Sequence, residues 1–249
     1  MDYIKLFEIL NKNRPEHAVF SASGSDRWMK CLGWYKATKD LPYVKSGKAA
    51  QRGTEAHTLM DQCIKQDKLP QELSKDVELI DWVGYVMDFI TASKYRVPHL
   101  QVFSEVYFPY GGNSGGTTDV IGIDPEVELI LADLKTGIYA VEVENNAQLL
   151  NYAVAARSHL GLFKNYKLVV IQPGGYHKDG AIREWNVTDK ELDAFELEIN
   201  SAIDQNLEGA PRTPGDHCKY CKAEAICKSN AEYILNKVQL NLAKDFLNE

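Results

Sequence analysis

Residues 115–152 constrain the fold of this chain more than any other segment, because they combine two apolar runs with several polar side chains. Residues 117–123 are rich in β-branched residues and lead into a Gly-Ile-Asp-Pro turn sequence. Residues 128–135 form a second apolar run, which stops at a Thr-Gly pair. The two runs predict a β-hairpin that carries polar residues at one end.

The second strand of this hairpin carries an acid and a base two positions apart. Successive strand residues alternate between faces, so Asp133 and Lys135 share one face and Leu134 turns to the other. A buried charge without a partner is costly and normally shifts its pKa instead. The alternative is a purely structural salt bridge at the strand end. Asp133 and Lys135 alone do not distinguish this salt bridge from a catalytic site.

Polar residues on the neighbouring elements favour the catalytic interpretation. Asp119 lies on the first hairpin strand, and Gln148 and Tyr152 are spaced i, i+4 on one face of the next helix. Two carboxylates can hold a hard divalent cation, and a lysine beside them can orient or deprotonate a water that attacks phosphate. The pattern therefore predicts metal-assisted hydrolysis of phosphodiesters.

Four short motifs follow one another along the chain. They are Gly-x-x-x-His at 53–57, Gly-x-x-Asp at 116–119, Asp-x-Lys-Thr-Gly at 133–137 and Gln-x-x-x-Tyr at 148–152. This order resembles the PD-(D/E)XK nuclease superfamily, in the RecB-like branch that is similar to the CRISPR-associated iron–sulfur exonucleases. A phage-encoded relative of that branch fits the same pattern.

The resemblance implies an α/β fold with a mixed central β-sheet flanked by helices, as in the restriction-endonuclease-like core. It also implies a metal-dependent deoxyribonuclease that uses Mg²⁺ or Mn²⁺, and more narrowly an exonuclease on single-stranded DNA or DNA ends. The implied catalytic residues are Lys135, Asp119, Asp133, Gln148 and Tyr152. The implied metal ligands are His57, Asp119, Asp133 and the backbone carbonyl of Leu134.

Two residues outside the hairpin have both a functional and a structural interpretation. A lone helical histidine such as His57 is more often a hydrogen-bonded structural residue, but Gly53 one turn earlier and the acids downstream favour a ligand. Gly53 weakens its helix by roughly 1 kcal/mol relative to alanine, which indicates close approach of another group. Glu105 could be a further metal-holding acid, although an outward-facing strand glutamate is the expectation.

Three of the five cysteines have C-x2-C-x5-C spacing near the end of the chain. Thiols stay reduced in the cytosol, so this spacing predicts metal ligands rather than disulfides. Four thiolates fit either zinc or a [4Fe-4S] cluster, with His217 as an alternative zinc ligand, and the resemblance favours the cluster. Cys63 is left over. The predicted cluster ligands are Cys31, Cys218, Cys221 and Cys227.

The charge distribution predicts where nucleic acid would bind. The net charge of −7 argues against bulk electrostatic binding. However, residues 27–52 hold seven basic residues and one acid, so this stretch carries +6 and the remainder −13. Aromatic residues interleave with these cations, as in a single-strand path, although a solvated face over core aromatics is the plain alternative. The predicted DNA contacts are Arg27, Lys30, Lys48 and Arg52, and the interleaved aromatics are Trp28, Trp34, Tyr35 and Tyr43.

Periodicity and breaker residues predict one domain over 1–249, which the resemblance implies is a RecB-like nuclease domain. Its predicted parts are a helical part (1–99), a catalytic α/β core (100–206) and a cysteine-cluster part (207–249). The predicted strands cover 100–107, 117–123, 128–135, 167–172 and 182–187. The predicted helices cover 3–12, 27–31, 46–66, 71–94, 145–157, 189–205 and 229–247.

No apolar run reaches 18 residues and no secretory signal is evident, so a cytoplasmic protein without membrane contact is expected. The expected partner is DNA; a homo-oligomer and partner proteins of recombination or CRISPR type are further possibilities. Two other functions stay open at this point. One is an endonuclease of the same fold, and the other is a non-catalytic DNA-binding or assembly module with a zinc or iron–sulfur site.

Overall fold

The computed structural model describes residues 1–15, 18–42, 47–111 and 114–247, with side chains up to residue 240. Short 3-10 helices occur at Ala22–Gly24, Asp216–Tyr220 and Glu224–Ile226. The α-helices are α1 (Tyr3–Lys12), α2 (Ser25–Trp28), α3 (Trp34–Thr38), α4 (Lys48–Gln66), α5 (Pro70–Leu73), α6 (Val77–Arg96), α7 (Ala147–Leu160), α8 (Asp189–Glu208) and α9 (Lys228–Leu247).

Six strands form one mixed sheet in the order β1-β3-β4-β5-β6, and β2 also pairs with β3. β1 runs parallel to β3 and β4 runs parallel to β5, while the other pairs are antiparallel. The β4–α7–β5 crossover explains the parallel pair, because parallel neighbours need a long connection. The strands are β1 (Phe20–Ser21), β2 (Gln101–Tyr110), β3 (Ser114–Asp124), β4 (Glu128–Leu134), β5 (Tyr166–Ile171) and β6 (Ile182–Val187).

Helices cover the sheet, as the sequence predicts. One core joins the sheet to α4 and α6, with fully buried residues such as Met60, Val83 and Val169 in contact. Helix α7 packs against β2, β3, β4 and β5. The α/β fold with a mixed central sheet flanked by helices is therefore confirmed. Among the described residues, the helices are too short or too polar for any of them to span a bilayer.

The chain clusters into two compact units. The first unit comprises Met1–Ala22 and Ser46–Glu196 and holds the sheet. The second comprises Ser23–Lys45 and Leu197–Glu249. In the second unit, the buried amide of Asn206 accepts the backbone N–H of Tyr35 at 3.0 Å and donates to the carbonyl of Trp28 at 2.8 Å. The three-part division predicted from the sequence stays a prediction.

The structure corrects the predicted helix over 71–94, which is two helices instead of one. The carboxylate of Asp76 accepts the backbone N–H of Leu79 at 3.2 Å, so it caps a new helix at Val77. The preceding helix α5 has Pro70 at its first position, where the missing N–H costs nothing.

The remaining differences lie mainly near the N-terminus. The helix predicted at 27–31 lies at α2, and neither β1 nor α3 is predicted by the sequence pattern. The predicted helix start at Ser46 and the predicted role of Tyr43 lie outside the described residues, as does Lys45, one of the seven basic residues counted over 27–52. Trp28 is fully buried, so this aromatic belongs to the core and not to a surface that could stack on bases.

Candidate active site

The hairpin of β3 and β4 places two carboxylates opposite each other. Val120 pairs with Ala132, so the next position along each strand brings Asp119 across from Asp133. Both side chains are buried. The backbone N–H of Leu134 donates to Asp119 Oδ2 at 2.7 Å, which ties the first carboxylate to the end of β4. The side chain of Leu134 turns into the core, as strand alternation predicts.

A hydrogen-bonded chain links the acid–base pair of β4 to helix α7. Lys135 Nζ lies 2.7 Å from Asp133 Oδ2 and donates to Gln148 Oε1 at 2.8 Å. Gln148 Nε2 in turn donates to Asp133 Oδ1 and to the hydroxyl of Tyr152, both at 2.7 Å. The side chain of Asn146 caps α7 by accepting the backbone N–H of Gln148 at 3.1 Å, which fixes where the helix begins.

A group of three possible metal ligands lies beside this chain. The ligand atoms of His57, Glu105 and Asp119 all lie within 4.8 Å of one another. His57 Nδ1 is 3.2 Å from Asp119 Oδ1 and 3.7 Å from Glu105 Oε1. An imidazole with two carboxylates is a donor set that suits Mn²⁺ or Mg²⁺.

The expectation that Glu105 faces outward is wrong. Glu105 lies between the Ser104–Val120 and Val106–Thr118 pairs of the sheet, which places it across from Asp119. Its φ of 52° is in the left-handed region, which is uncommon for a residue with a side chain. A local backbone turn of this kind breaks the strand alternation on which the sequence prediction depends.

The buried charges of the site shift one another's pKa values. Burial and the charge of Asp133 raise the pKa of Asp119 to about 6. Burial alone would lower the pKa of His57, but the hydrogen bond and charge of Asp119, with a further contribution from Glu105, raise it to about 10. Burial likewise opposes the charge of Lys135, yet the carboxylate of Asp133 raises the pKa of that ammonium.

One buried oxygen of the site fits a cation. Asp133 Oδ2 is buried and, within the described residues, accepts no well-directed hydrogen bond, although Lys135 Nζ is close. Lys135 already places a positive charge beside this oxygen, so the fit to a metal depends on the imidazole and carboxylates of His57, Glu105 and Asp119. The site therefore fits a hard divalent metal held by carboxylate oxygens and His57. Coordination by the carbonyl of Leu134 stays a prediction.

The glycine of the first motif lies close to the hairpin end. A Cβ atom at Gly53 would lie 3.1 Å from Thr136 Oγ1, next to Lys135. The close approach that the sequence indicates at Gly53 is therefore to the chain itself, and it brings helix α4 with His57 to the site.

The four cysteines predicted as cluster ligands line one cavity of the second unit, together with Arg27 and Arg212. No three of their sulfur atoms, however, lie within 4.8 Å of one another. Burial raises the pKa of Cys218 and of Cys221, so thiolates there require a compensating charge. Polar groups face the sulfurs: Gly215 N–H donates to Cys218 Sγ at 3.4 Å, Arg212 Nη1 lies 3.9 Å from Cys227 Sγ, and the backbone of Ala223 donates to Cys221. Cys63 is buried in helix α4, as expected for the leftover cysteine.

The four predicted DNA contacts are divided between the two units. Arg27 and Lys30 belong to the second unit, whereas Lys48 and Arg52 belong to the first. Arg27 lines the cysteine cavity, and Lys30 lies 2.5 Å from Asp26. The guanidinium of Arg52 is engaged by three carboxylates, namely Glu55, Asp76 and Glu78. A role of Arg52 in holding phosphate would require it to leave these partners.

The chain matches one family model and is similar to several solved structures. The model of a family described as "Protein of unknown function (DUF2800)" matches residues 17–247. Among solved structures, a candidate exonuclease from Eubacterium rectale is 13% identical with a TM-score of 0.46, over 83% of this chain and 86% of that one. The alkaline exonuclease of Laribacter hongkongensis is 10% identical with a TM-score of 0.35, over 82% and 93%. At these identities and scores the likeness carries no argument about function, so the function has to be argued from the site.

Proposed function

The chain belongs to the DUF2800 family of proteins of unknown function, so the family gives no activity. From the geometry of the candidate site, we propose that the protein is a metal-dependent DNA nuclease. The observation that carries the proposal is the hydrogen-bonded chain of Lys135, Gln148, Asp133 and Tyr152 beside the His57–Glu105–Asp119 group. A structural salt bridge needs only Asp133 and Lys135. The additional donors and acceptors on four other elements, β2, β3, α4 and α7, support a catalytic site.

In the proposed mechanism, Asp119, Asp133, His57 and Glu105 would hold the metal, and Leu134 would add its carbonyl. Bound Mg²⁺ or Mn²⁺ supplies positive charge for the scissile phosphate and lowers the pKa of water. The ammonium of Lys135 has three N–H groups, of which two face Gln148 and Asp133, so the third can position the attacking water. Gln148 and Tyr152 fix the orientation of Asp133 and Lys135 through their hydrogen bonds, and groups held in place in this way would favour in-line attack.

The finer assignment is an exonuclease on single-stranded DNA or DNA ends, and it follows from the motif resemblance. The test compares end-labelled linear single-stranded DNA with a closed circle of the same sequence, in Mn²⁺, Mg²⁺ or chelator. Metal-dependent loss of the linear strand with the circle spared supports the exonuclease. Cutting of the circle would assign an endonuclease, and binding without cutting would assign the non-catalytic module.

We further propose that a [4Fe-4S] cluster is held by Cys31, Cys218, Cys221 and Cys227. Its role would be structural, as a cross-link between residues that are far apart in the sequence. The preference for a [4Fe-4S] cluster over zinc follows from the motif resemblance, and the cavity that the four cysteines line supports a shared group. Such a group would join residues 187 positions apart and so restrict the unfolded chain.

The glycine of the Gly-x-x-Asp motif provides a test of the proposed support of the site. A Cβ atom at Gly116 would lie 2.5 Å from Cβ of Ala22 and 2.6 Å from Cε1 of Tyr152, so Gly116→Ala should displace this ring and its hydroxyl from Gln148. We expect single-turnover cleavage to fall about tenfold or more, because misplacement of supporting groups by about 1 Å has effects of that order. Overpacking should also destabilise the protein by about 1–3 kcal/mol, as thermal unfolding would show.

The matched control for this variant is Gly122→Ala on the same strand. There the added Cβ would meet the flexible tip of Leu100 at 3.2 Å, away from Tyr152. Cleavage by Gly122→Ala should stay near that of the wild type. Equal cleavage by Gly116→Ala and the wild type would show that Tyr152 does not support the site.

A further inference from the structure

The connection between Lys135 and helix α7 has an unusual buried support. It carries no helix or strand between β4 and α7, yet two side chains hold its backbone. Gln172, which is fully buried, donates from Nε2 to the carbonyls of Gly137 and Tyr139, both at 2.7 Å. The Oε1 atom of Gln172 accepts the backbone N–H of Val141 at 3.0 Å.

A buried arginine completes this support. Arg183 on β6 is 4% exposed and donates to the carbonyl of Val141 at 2.9 Å, to Gln172 Oε1 at 2.8 Å and to the carbonyl of Gly180 at 2.7 Å. Its described hydrogen bonds go to neutral oxygens, and burial lowers its pKa more than the charges of Glu142 and Asp179 raise it. Burying a cation among neutral hydrogen-bond acceptors costs folding free energy. The backbone conformation that Arg183 holds at residues 137–141 therefore requires an explanation.

The supported backbone presents two large side chains to solvent. Ile138 is 71% exposed and Tyr139 is 70% exposed. They follow Lys135 by three and four residues, so they lie within about 14 Å of it along the chain. A connection with a fixed backbone holds these side chains at little further cost in conformational entropy.

We propose that Ile138 and Tyr139 form a stacking platform for an unpaired base next to the scissile phosphate. This inference rests on the proposed nuclease function and names what the site would take, a single-stranded end. Exposed aromatic rings bind bases by stacking, whatever the sequence. The nearby Glu142 and Glu144 would repel a phosphate, so the platform suits the neutral base and not the backbone.

The first experiment measures binding of a fluorescein-labelled single-stranded oligonucleotide, with Ca²⁺ in place of Mn²⁺, and then single-turnover cleavage with Mn²⁺. Tyr139→Ala should weaken binding about tenfold, and Tyr139→Phe should retain it, because stacking needs the ring and not the hydroxyl. Ile138→Ala should weaken binding to a smaller extent. Tyr95→Ala is the matched control, since Tyr95 is 91% exposed at the end of α6 in the same unit.

The second experiment locates the base by moving one abasic position along the oligonucleotide. The wild type should lose affinity when the abasic position meets the platform, and Tyr139→Ala should lose this sensitivity, because the two changes remove the same contact. Equal binding by Tyr139→Ala and the wild type, or the same abasic profile for both, would overturn the platform. Binding without cleavage by the wild type overturns the nuclease and leaves the binding comparison as the test of the platform. A wild type that neither binds nor cuts overturns both.

Discussion

Replacing Lys135 by alanine is expected to lower single-turnover DNA cleavage about 1000-fold while the protein stays folded. The ammonium is the one cation of the hydrogen-bonded chain, next to Asp133 and Gln148, and its loss removes both the position of the attacking water and a positive charge. Removal of one such preorganised group typically reduces the rate about 10²–10⁴-fold. The measurement is the rate of loss of an end-labelled strand at saturating Mn²⁺.

Lys167→Ala is the matched control for this variant. Lys167 also pairs with a carboxylate at 2.7 Å, that of Glu184, but it lies on β5 and not in the site. This variant should cleave at the rate of the wild type. Cleavage by Lys135→Ala within a few fold of the wild type would remove Lys135 from the mechanism and leave a structural salt bridge.

Replacing Cys218 by serine is expected to remove the iron of the second unit. Cys218 is the most buried of the four cysteines that line the cavity, and its sulfur accepts the N–H of Gly215. Protein purified without oxygen should hold about four iron atoms per chain, as expected for a [4Fe-4S] group, and the variant much less. The free energy of unfolding should fall by about 3 kcal/mol or more, because a long-range tie is lost.

Cys63→Ala separates loss of the cluster from loss of any buried cysteine. Cys63 is fully buried in helix α4 of the first unit, so its replacement should cost stability but leave the iron content unchanged. Zinc in place of iron in the wild type would assign a zinc site to the same cysteines. A wild type purified without oxygen that holds neither metal would contradict the cluster.

The central hairpin could be predicted because two independent patterns agree there. The β-branched runs indicate two strands, and the period of two assigns Asp133 and Lys135 to one face, where the structure has them 2.7 Å apart. The i, i+4 spacing of Gln148 and Tyr152 similarly gives one helix face, and the two side chains are hydrogen bonded. Local periodicity is sufficient wherever a residue keeps the regular geometry of its element.

Glu105 could not be predicted, because its geometry departs from the regular strand. A positive φ at a glutamate has no signature in sequence. Strand alternation alone predicts that the side chain of Glu105 faces outward, away from the site. Gln172 and Arg183 also escape sequence analysis as a support for the connection after β4. Their partners are backbone atoms 31–42 residues away, and a contact with backbone leaves no pattern in the partner's side chains.

The basic residues predicted to bind DNA show that a count of charges along the sequence does not identify the cations available to phosphate. The excess of cations over residues 27–52 is real, but carboxylates outside this stretch, at Glu55, Asp76 and Glu78, bind Arg52. Trp28, one of the interleaved aromatics, lies in the core. Pairing and burial are tertiary properties, so a local sum of charges does not determine which cations remain available to phosphate.

The most direct test of the proposed function is the rate of cleavage of end-labelled single-stranded DNA as a function of Mn²⁺ concentration, measured beside Mn²⁺ binding to the same protein. The proposed site predicts no cleavage in chelator and a rate that rises with the occupancy of one class of Mn²⁺ site. Asp119→Asn together with Asp133→Asn should abolish both binding at that site and cleavage. Cleavage that persists in chelator, or in this double variant, would contradict metal-dependent hydrolysis at the site of Asp119, Asp133 and Lys135.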